Sequence, residues 1–539
     1  MKTIQRLQRI MTRPKTTLAF FFIIGLLAYF KAMNGDFIWD DLVTVVRNEQ
    51  IRSFAYIGDW FTSAYTSGAG VTTSNLYRPL STAAYALIYS VFGLHAFGYH
   101  LANLIIHTLN TYLVFSLFQK FNFKKMGCML AALIFMLHPA QTEAVAHISG
   151  LPDILAPLFV LLGLNLFLKK NLKTVDYLKL CGLFILGLLA KELAIVLLPL
   201  MIVLLIYIWP TLSKEEKETR KLWLKVLAIL ACGYIFLRAG LLNFTDSLNL
   251  HIKDNAYTED LNLRITTFIS ILPSYAKTLF LPIDLYFEKQ FIAYPNILSF
   301  KGLFGTLVTA GGLVLSYKSL LKGSRNFFLG FFWFFAALLP VMGIVAVNAS
   351  HADRWLYLPL VGLLILVPII YERAIDKDIQ KKLMIVFLII AMLFGVRSFA
   401  RNVQWADSFT FYENELKYNQ NSARIYSLVG QLYFHQGDLQ AAEASYLKGV
   451  SLDTQAMLPE IRYNLGNTYL QMRNLDGAVN QFFMAIEINP KFIDPYIALY
   501  NIGIAIHSET LEKGFLELIH KIERGESVDF NSEVAPLAG

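Results

Sequence analysis

The chain has 539 residues, of which 56% are hydrophobic and 16% charged, where a soluble domain has about 45–50% and about 25%. The apolar excess lies before residue 400 and rules out a single soluble fold for that part, while the sequence beyond 420 has an ordinary soluble composition. The formal charge of +8 gathers in short linkers (Lys124-Lys125, Lys169-Lys170, Lys214 to Lys221, Lys318 to Arg325, Lys377 to Lys382), the pattern of cytoplasmic loops rather than of a nucleic-acid footprint. Cys128, Cys181 and Cys232 sit inside apolar blocks, with neither a disulfide framework nor metal-ligand spacing.

In chain order, Lys2, Arg6, Arg9, Arg13 and Lys15 precede an apolar stretch from Leu18 to Met33, and Asp36, Asp40 and Asp41 follow it. A basic flank before and an acidic flank after place residues 1–17 in the cytoplasm and the long loop 34–98 outside. Further crossings are expected near 99–118, 126–138, 153–168, 177–190, 192–209, 223–240, 303–318, 327–347, 355–371 and 383–397. Several are shorter than the ~20 residues of a full span, so flanking Lys and Arg must snorkel. The segment 79–93 reads as a helix at the outer interface. Residues 263–282 carry Pro273, Lys277 and Pro282, and keeping them out of the crossing count turns every basic linker inward. That leaves about 11 transmembrane helices in an 18–400 membrane domain, and an odd count puts the C-terminus on the side of the acidic loop.

Polar groups that remain in such a chain are functional candidates. GDFIWDD offers Asp40 and Asp41, whose adjacent side chains are expected to point apart. One of the two can face a cavity while the other positions it or caps a helix, and Asp41 is favoured for the cavity because Trp39-Asp40 could anchor the loop. Arg78, before Pro79 at a helix start, suits a phosphate through its two-pronged guanidinium. His100, Asn103, His107 and Asn110 share one helical face, for interhelical hydrogen bonds or a cavity wall. The loop HPAQTEAVAHISGLPD holds His138, Glu143, His147 and Asp153 without a metal motif. Lys191-Glu192 reads as a neutralised pair or a site pair, and His351, Asp353 and Arg354 form the last cluster.

After a linker at 401–421, residues 423–449 and 459–490 align on Gly430 and Gly466, with Tyr433/Tyr469, Ala442/Ala478 and Tyr446/Phe482 in step and Pro490 closing the second copy. This is the tetratricopeptide pattern, with a weaker third helix A near Tyr500 to Gly503. Repeats are expected over 422–515 and a flexible tail over 516–539.

GDFIWDD, YRPL, FGYHLANLIIHTLN, HPAQTEAVAHISG, AKE at 190–192 and ADRWLYLP at 352–359, with the repeats after them, resemble in content and order the transmembrane and tetratricopeptide repeat family of O-mannosyltransferases and its bacterial relatives. The resemblance implies an all-α, multi-spanning glycosyltransferase of the GT-C type. Its implied activity is inverting transfer of a sugar, often mannose, from a polyprenyl-phosphate carrier to an acceptor hydroxyl on a protein held by the repeats. It implies catalytic roles for Asp40, Asp41 and Glu143, and donor-phosphate roles for Arg78, Lys191 and Arg354. His100, Asn103, His107, His138, Asp153, Glu192 and Asp353 would support or line the cavity. The scheme requires no cofactor and no metal, though a divalent ion remains compatible with it. Two departures stand out: Leu151 where the family often has Arg, and a short repeat array, which favours a bacterial plasma membrane. A membrane-anchored tetratricopeptide scaffold for envelope protein assembly is the alternative; it would make the polar loop residues dispensable.

Overall fold

The computed structural model describes residues 13–70, 76–242, 244, 256–289, 292–347, 349–453 and 458–538. Lys2, Arg6 and Arg9 of the expected cytoplasmic tail lie outside the described residues. Within them the chain is helical and contains no strand, and it divides into two compact units, Met1–Asp407 and Ser408–Gly539.

Among the described residues, seven helices of the first unit are long and apolar enough to cross a membrane, or eight if the bent pair Lys125–Leu137 and Pro139–Ala146 is one crossing. Each of the eleven expected crossings contains helix, though 327–347 is helical only to Val341, and not all meet that standard. Thr174–Ala190 has 17 residues, Asn326–Leu338 has 13, and the segment after Leu358 breaks into Pro359–Leu364 and Leu366–Arg373. Leu261–Phe280, the segment left out of the expected count, forms a 20-residue helix around an internal Pro273 and is not among the seven.

Burial sorts these helices. The apolar windows of Ile148–Phe167 and Ala96–Lys120 are 78% and 61% buried, whereas those of Lys214–Leu241, Phe300–Leu321 and Lys377–Gln404 are only 11%, 17% and 22% buried. The first two form the centre; the others turn apolar faces outward, as lipid-facing helices do. Leu104, Phe118, Phe135, Leu161, Leu197 and Trp333 lie fully inside the core. The polar stripe of Ala96–Lys120 faces protein. Asn103 Nδ2 donates to the carbonyls of Val145 (3.2 Å) and His147 (3.0 Å). Asn110 Nδ2 donates to the Ile154 carbonyl (2.8 Å) and to Tyr357 Oη (3.0 Å), and His107 Nδ1 lies 2.7 Å from the same hydroxyl. These bonds fix the central helix against its neighbours and orient the loops above it.

The first and last membrane helices meet, with Asn402 Nδ2 donating to the Ala28 carbonyl at 2.9 Å. A Cβ at Gly35 would stand 2.7 Å from the Trp405 carbonyl oxygen. Only glycine lets the chain leave the first helix along that path.

In the second unit, helices Ala423–Gln436 and Leu439–Leu452 form one hairpin, and Pro459–Gln471 and Leu475–Ile488 the next. Gly430 packs on the Tyr446 ring and Gly466 on Phe482, where a Cβ would come within 2.8 and 2.6 Å. The expected third helix A is Ile493–Ala505, and Glu509–Glu523 is its partner. Two boundaries differ from expectation. Residues 401–421 hold the end of Lys377–Gln404 and the whole helix Ser408–Tyr418. Residues 516–538 fold rather than trail, because Leu518, Ile519, Val528 and Val534 join Phe515 in the core of the repeats.

Candidate active site

The first loop turns sharply after Ile38. Trp39 takes a left-handed φ of 59°, a conformation costly for a bulky side chain. Asp41 N donates back to the Ile38 carbonyl at 3.1 Å, and Asp41 Oδ2 accepts from Ile38 N at 3.0 Å. The tight turn sends the two aspartates opposite ways: Asp40 is exposed, while Asp41 is 1% exposed. Asp41 Oδ1 accepts from Ser149 N (2.7 Å) and Ser149 Oγ (2.5 Å), and the His147 Nε2 stands 3.1 Å away. Burial opposes the charge on Asp41, but His147, Ser149 and the Ile38 amide outweigh it and hold the carboxyl below its usual range. Burial likewise disfavours a cationic His147, and Asp41 reverses that, raising the imidazole above its ordinary 6.5. Each partner therefore favours the charged form of the other.

Arg78 precedes Pro79, which opens the helix Pro79–Phe92. Its guanidinium grips Glu192 in a fork, Nε to Oε2 at 3.2 Å and Nη2 to Oε1 at 2.7 Å, and lies 5.6 Å from the centre of the Tyr65 ring. Burial works against the charge on Arg78, and Glu192 more than restores it. Lys191 does not pair with its neighbour. Its backbone is extended (φ −160°, ψ 138°), so consecutive side chains diverge, and Lys191 Nζ reaches Asp153 Oδ1 at 2.6 Å. Glu143 holds the last cluster: Oε1 pairs with Arg354 Nη1, and Oε2 accepts from the backbone amides of Asp353 (3.0 Å) and Arg354 (3.3 Å). Both oxygens are engaged, and Glu143 thereby holds the Arg354 guanidinium and the backbone of the last cluster.

These groups converge. The charge of Asp153 bears on Arg78, Lys191 and Arg354, and that of Asp40 on Arg354 and Tyr65. Asp153, Lys191 and Arg354 border a narrow cleft whose remaining wall is largely apolar, including Ala156, Val160, Leu193, Ala194 and Leu358. The arrangement can hold an anionic head beside an aliphatic chain, with one exposed carboxylate nearby. Among the described residues, no group of three or more His, Cys, Asp or Glu side chains is placed to hold a metal ion.

Residues 423–455 and 459–492 match the tetratricopeptide repeat family model. Protein O-mannosyl-transferase F38B6.6 of Caenorhabditis elegans is 24% identical over 444 residues, which are 80% of this chain and 62% of that protein. Protein O-mannosyl-transferase TMTC3 of Homo sapiens is 22% identical over 531 residues, 87% of this chain and 55% of that protein. Over a shorter stretch of 149 residues, Protein O-mannosyl-transferase TMTC1 of Homo sapiens is 35% identical, covering 27% of this chain and 17% of that protein. The chain is a homologue of the transmembrane and tetratricopeptide repeat O-mannosyltransferases. It spans between about half and just under two thirds of the length of the first of these relatives.

For this homologue the residues read from sequence fall into two groups. Asp40, Asp41, Arg78, Glu143, Asp153, Lys191, Glu192, Asp353 and Arg354 gather at the loop ends. Asn103 and His107 are bound within the helix bundle, and so is His138, whose Nδ1 accepts from Ala140 N while Nε2 meets the Leu279 carbonyl at 3.0 Å. His100 is buried beside Asp41, and neither ring nitrogen has a hydrogen-bond partner among the described residues. Sequence reasoning missed Phe287 and Lys289. Lys289 Nζ lies 3.4 Å from Asp353 Oδ1. Phe287 meets Trp39, His147 and Trp405 at ring distances of 5.3, 5.2 and 5.7 Å, and Arg354 sits 5.4 Å from its ring centre. The polar stretch Asp284 to Lys289, following an apolar segment, was the available signal.

Proposed function

We propose that the chain transfers a sugar, by relationship mannose, from a polyprenyl-phosphate carrier to a hydroxyl group of a protein, with inversion at the anomeric carbon. The observation that carries this reading is the exposed Asp40 carboxylate, whose charge bears on Arg354, together with the largely apolar cleft that Arg354 borders with Asp153 and Lys191. Asp40 is the general base, in place of Asp41. It takes the proton of the acceptor hydroxyl as that oxygen forms its bond to the anomeric carbon. The bond from that carbon to the phosphate oxygen breaks, and its electron pair leaves with the lipid phosphate. Arg78, Lys191 and Arg354 stabilise the phosphate charge, each exchanging part of its carboxylate contact for phosphate oxygens. The carrier's first isoprene units lie along Ala156, Val160, Ala194 and Leu358.

The repeat unit selects the acceptor. An open groove between its helices Pro459–Gln471 and Ile493–Ala505 offers Asn467 and Asn501 amides among Tyr463, Leu470, Ile497 and Ile506. Amides of this kind can pair with an extended peptide backbone whatever its sequence. The acidic first loop and the repeats share the non-cytoplasmic side of a bacterial plasma membrane, with the N-terminus inside. Cysteines placed at Ser63 and Ser445 would then be labelled from one side of sealed membranes. The decisive experiment incubates the purified protein in lipid with labelled polyprenyl-phosphate mannose and a pool of serine- and threonine-containing peptides, then weighs the products. Mannosylated peptide that is lost in Asp40→Asn supports the reading; peptides of unchanged mass reject it.

A further inference from the structure

Among the polar residues of this end of the molecule, His147 has no place in the proposed chemistry, yet it is built in from every side. It is 4% exposed. Its ring packs on Trp405 at the end of the last membrane helix and on Phe287 of the 281–289 loop, and its carbonyl accepts from Asn103 of the central helix. Nε2 lies 3.1 Å from Asp41 Oδ1.

Following the contacts outward from His147 leads to Asp40. Asp41, held by His147 and by the amide and hydroxyl of Ser149, closes the turn through Ile38 N. Ser149 Oγ also lies 2.6 Å from Thr44 Oγ1, and Thr44 Oγ1 donates to the Asp40 carbonyl at 2.9 Å. Trp39, in its left-handed conformation, rests on the Phe287 ring that His147 also touches. A non-glycine residue at positive φ persists only where surrounding contacts over-determine it. Here those contacts run from the loop 147–149 into the turn and fix both its backbone and the tryptophan next to Asp40.

We infer that His147 is the positioning residue of this site: by pinning Asp41 it holds the Ile38–Asp41 turn that presents Asp40 to the cation cluster. The inference rests on the reading of Asp40 as base. His147 touches neither donor nor acceptor in this scheme. It acts through Asp41, so its removal lowers the chance that Asp40 is in line without removing the carboxylate itself.

The test compares His147→Gln, Asp40→Asn and the double variant as full-length protein in lipid, with labelled polyprenyl-phosphate mannose and the peptide pool as probes. Thermal unfolding and backbone hydrogen exchange are read alongside. His147→Gln should lower kcat by about 10- to 30-fold with the donor KM within about twofold, a split that general loosening of the fold would not give. Amide exchange should speed up at Asp41, whose N–H closes the turn. In the Asp40→Asn background the further loss from His147→Gln should be less than twofold, because a missing base cannot be mispositioned. Ser149→Ala, a smaller perturbation, should show the same pattern at lower amplitude and keeps the test open if His147→Gln does not fold. Equal losses in both backgrounds, or unchanged turnover with unchanged exchange at Asp41, overturn the positioning role. Wild-type protein that transfers nothing, or Asp40→Asn that transfers normally, rejects the base assignment instead, and the exchange measurement still reports whether His147 holds the turn.

Discussion

Asparagine substitutions at Asp40 and Asp41 should fail in different ways. Asp41→Asn removes a charge from a carboxylate that is 1% exposed and contacts His147, Ser149 N, Ser149 Oγ and Ile38 N. Breaking a buried pair costs about 3–5 kcal/mol. An asparagine NH2 also faces either the Ile38 or the Ser149 amide, donor against donor, at about 1–3 kcal/mol for the unpaired group. His147 can shed its proton and recover part of this, so a net loss of roughly 2–4 kcal/mol is expected. Asp40→Asn lies at an exposed position and should change stability by less than about 0.5 kcal/mol, while turnover falls ~100-fold or more. Tryptophan-detected thermal unfolding and single-turnover transfer, measured on the same preparations, separate the two effects. An Asp41→Asn protein with wild-type unfolding and abolished transfer would refute this division of roles and return Asp41 as the base.

Three further outcomes follow from the same geometry. Arg78→Ala should weaken donor binding by roughly 10- to 100-fold, the scale of one or two charge-assisted hydrogen bonds; Arg78→Lys should recover only part, for want of the fork. Adding Glu192→Gln should restore stability but not donor affinity, as titration with a donor analogue would reveal. Asn467→Ala with Asn501→Ala should raise the peptide KM about 10-fold and leave the donor KM unchanged, since both line the repeat groove alone. The Asp41–His147 pair also sets a pH window. His147 is raised from 6.5, so its contribution is complete below that value and is lost as pH rises through the higher folded value. Asp41 is lowered from 3.8, so its contribution is present above that value and is lost only as pH falls through the depressed one. Asp40, Arg354 and His100 also bear on the pair. Unfolding temperatures should therefore decline on the alkaline side of neutrality in the wild type, and that decline should vanish in His147→Gln.

Much of this architecture was legible because the bilayer leaves few choices. Apolar blocks had to be helices, and the aligned Gly430/Tyr446 and Gly466/Phe482 pairs had to be helix crossings. The polar residues of the site were legible as a set, since charges persist in such a chain only where something holds them. Their pairing was not. Lys191-Glu192 looks self-neutralising on paper, and only the extended backbone at Lys191 sends one to Asp153 and the other to Arg78. The exposure of Asp40 and the burial of Asp41 depend on one left-handed tryptophan, which no local pattern announces. Phe287 and Lys289 lie far along the chain from every motif, and the loop that carries them reads as an unremarkable connection.

The ion pairs bear on what kind of donor such a site can admit. Arg78, Lys191, Lys289 and Arg354 each contact their own carboxylate, on Glu192, Asp153, Asp353 and Glu143. With each of these cations already compensated, the site avoids the several kcal/mol that an unpaired buried charge would cost. It also holds no large positive excess waiting for a multiply charged ligand. A sugar phosphodiester brings one negative charge, which a shared guanidinium fork can take on without releasing its glutamate. In the proposed reaction the lipid phosphate that leaves carries a second charge, formed only as the glycosidic bond breaks. Arginine and lysine contacts that strengthen with that second charge favour the transition state over the bound donor, which is the condition for raising turnover rather than affinity. Neutralising a holder should therefore disturb this balance in a defined direction. Glu143→Gln would leave Arg354 less compensated, tighten binding of the departed polyprenyl phosphate, and slow steady-state turnover through product release while the first turnover stays fast. A burst followed by a slow phase is the expected trace. A single slow phase, with no gain in product affinity, would mean that Glu143 serves only to place Arg354.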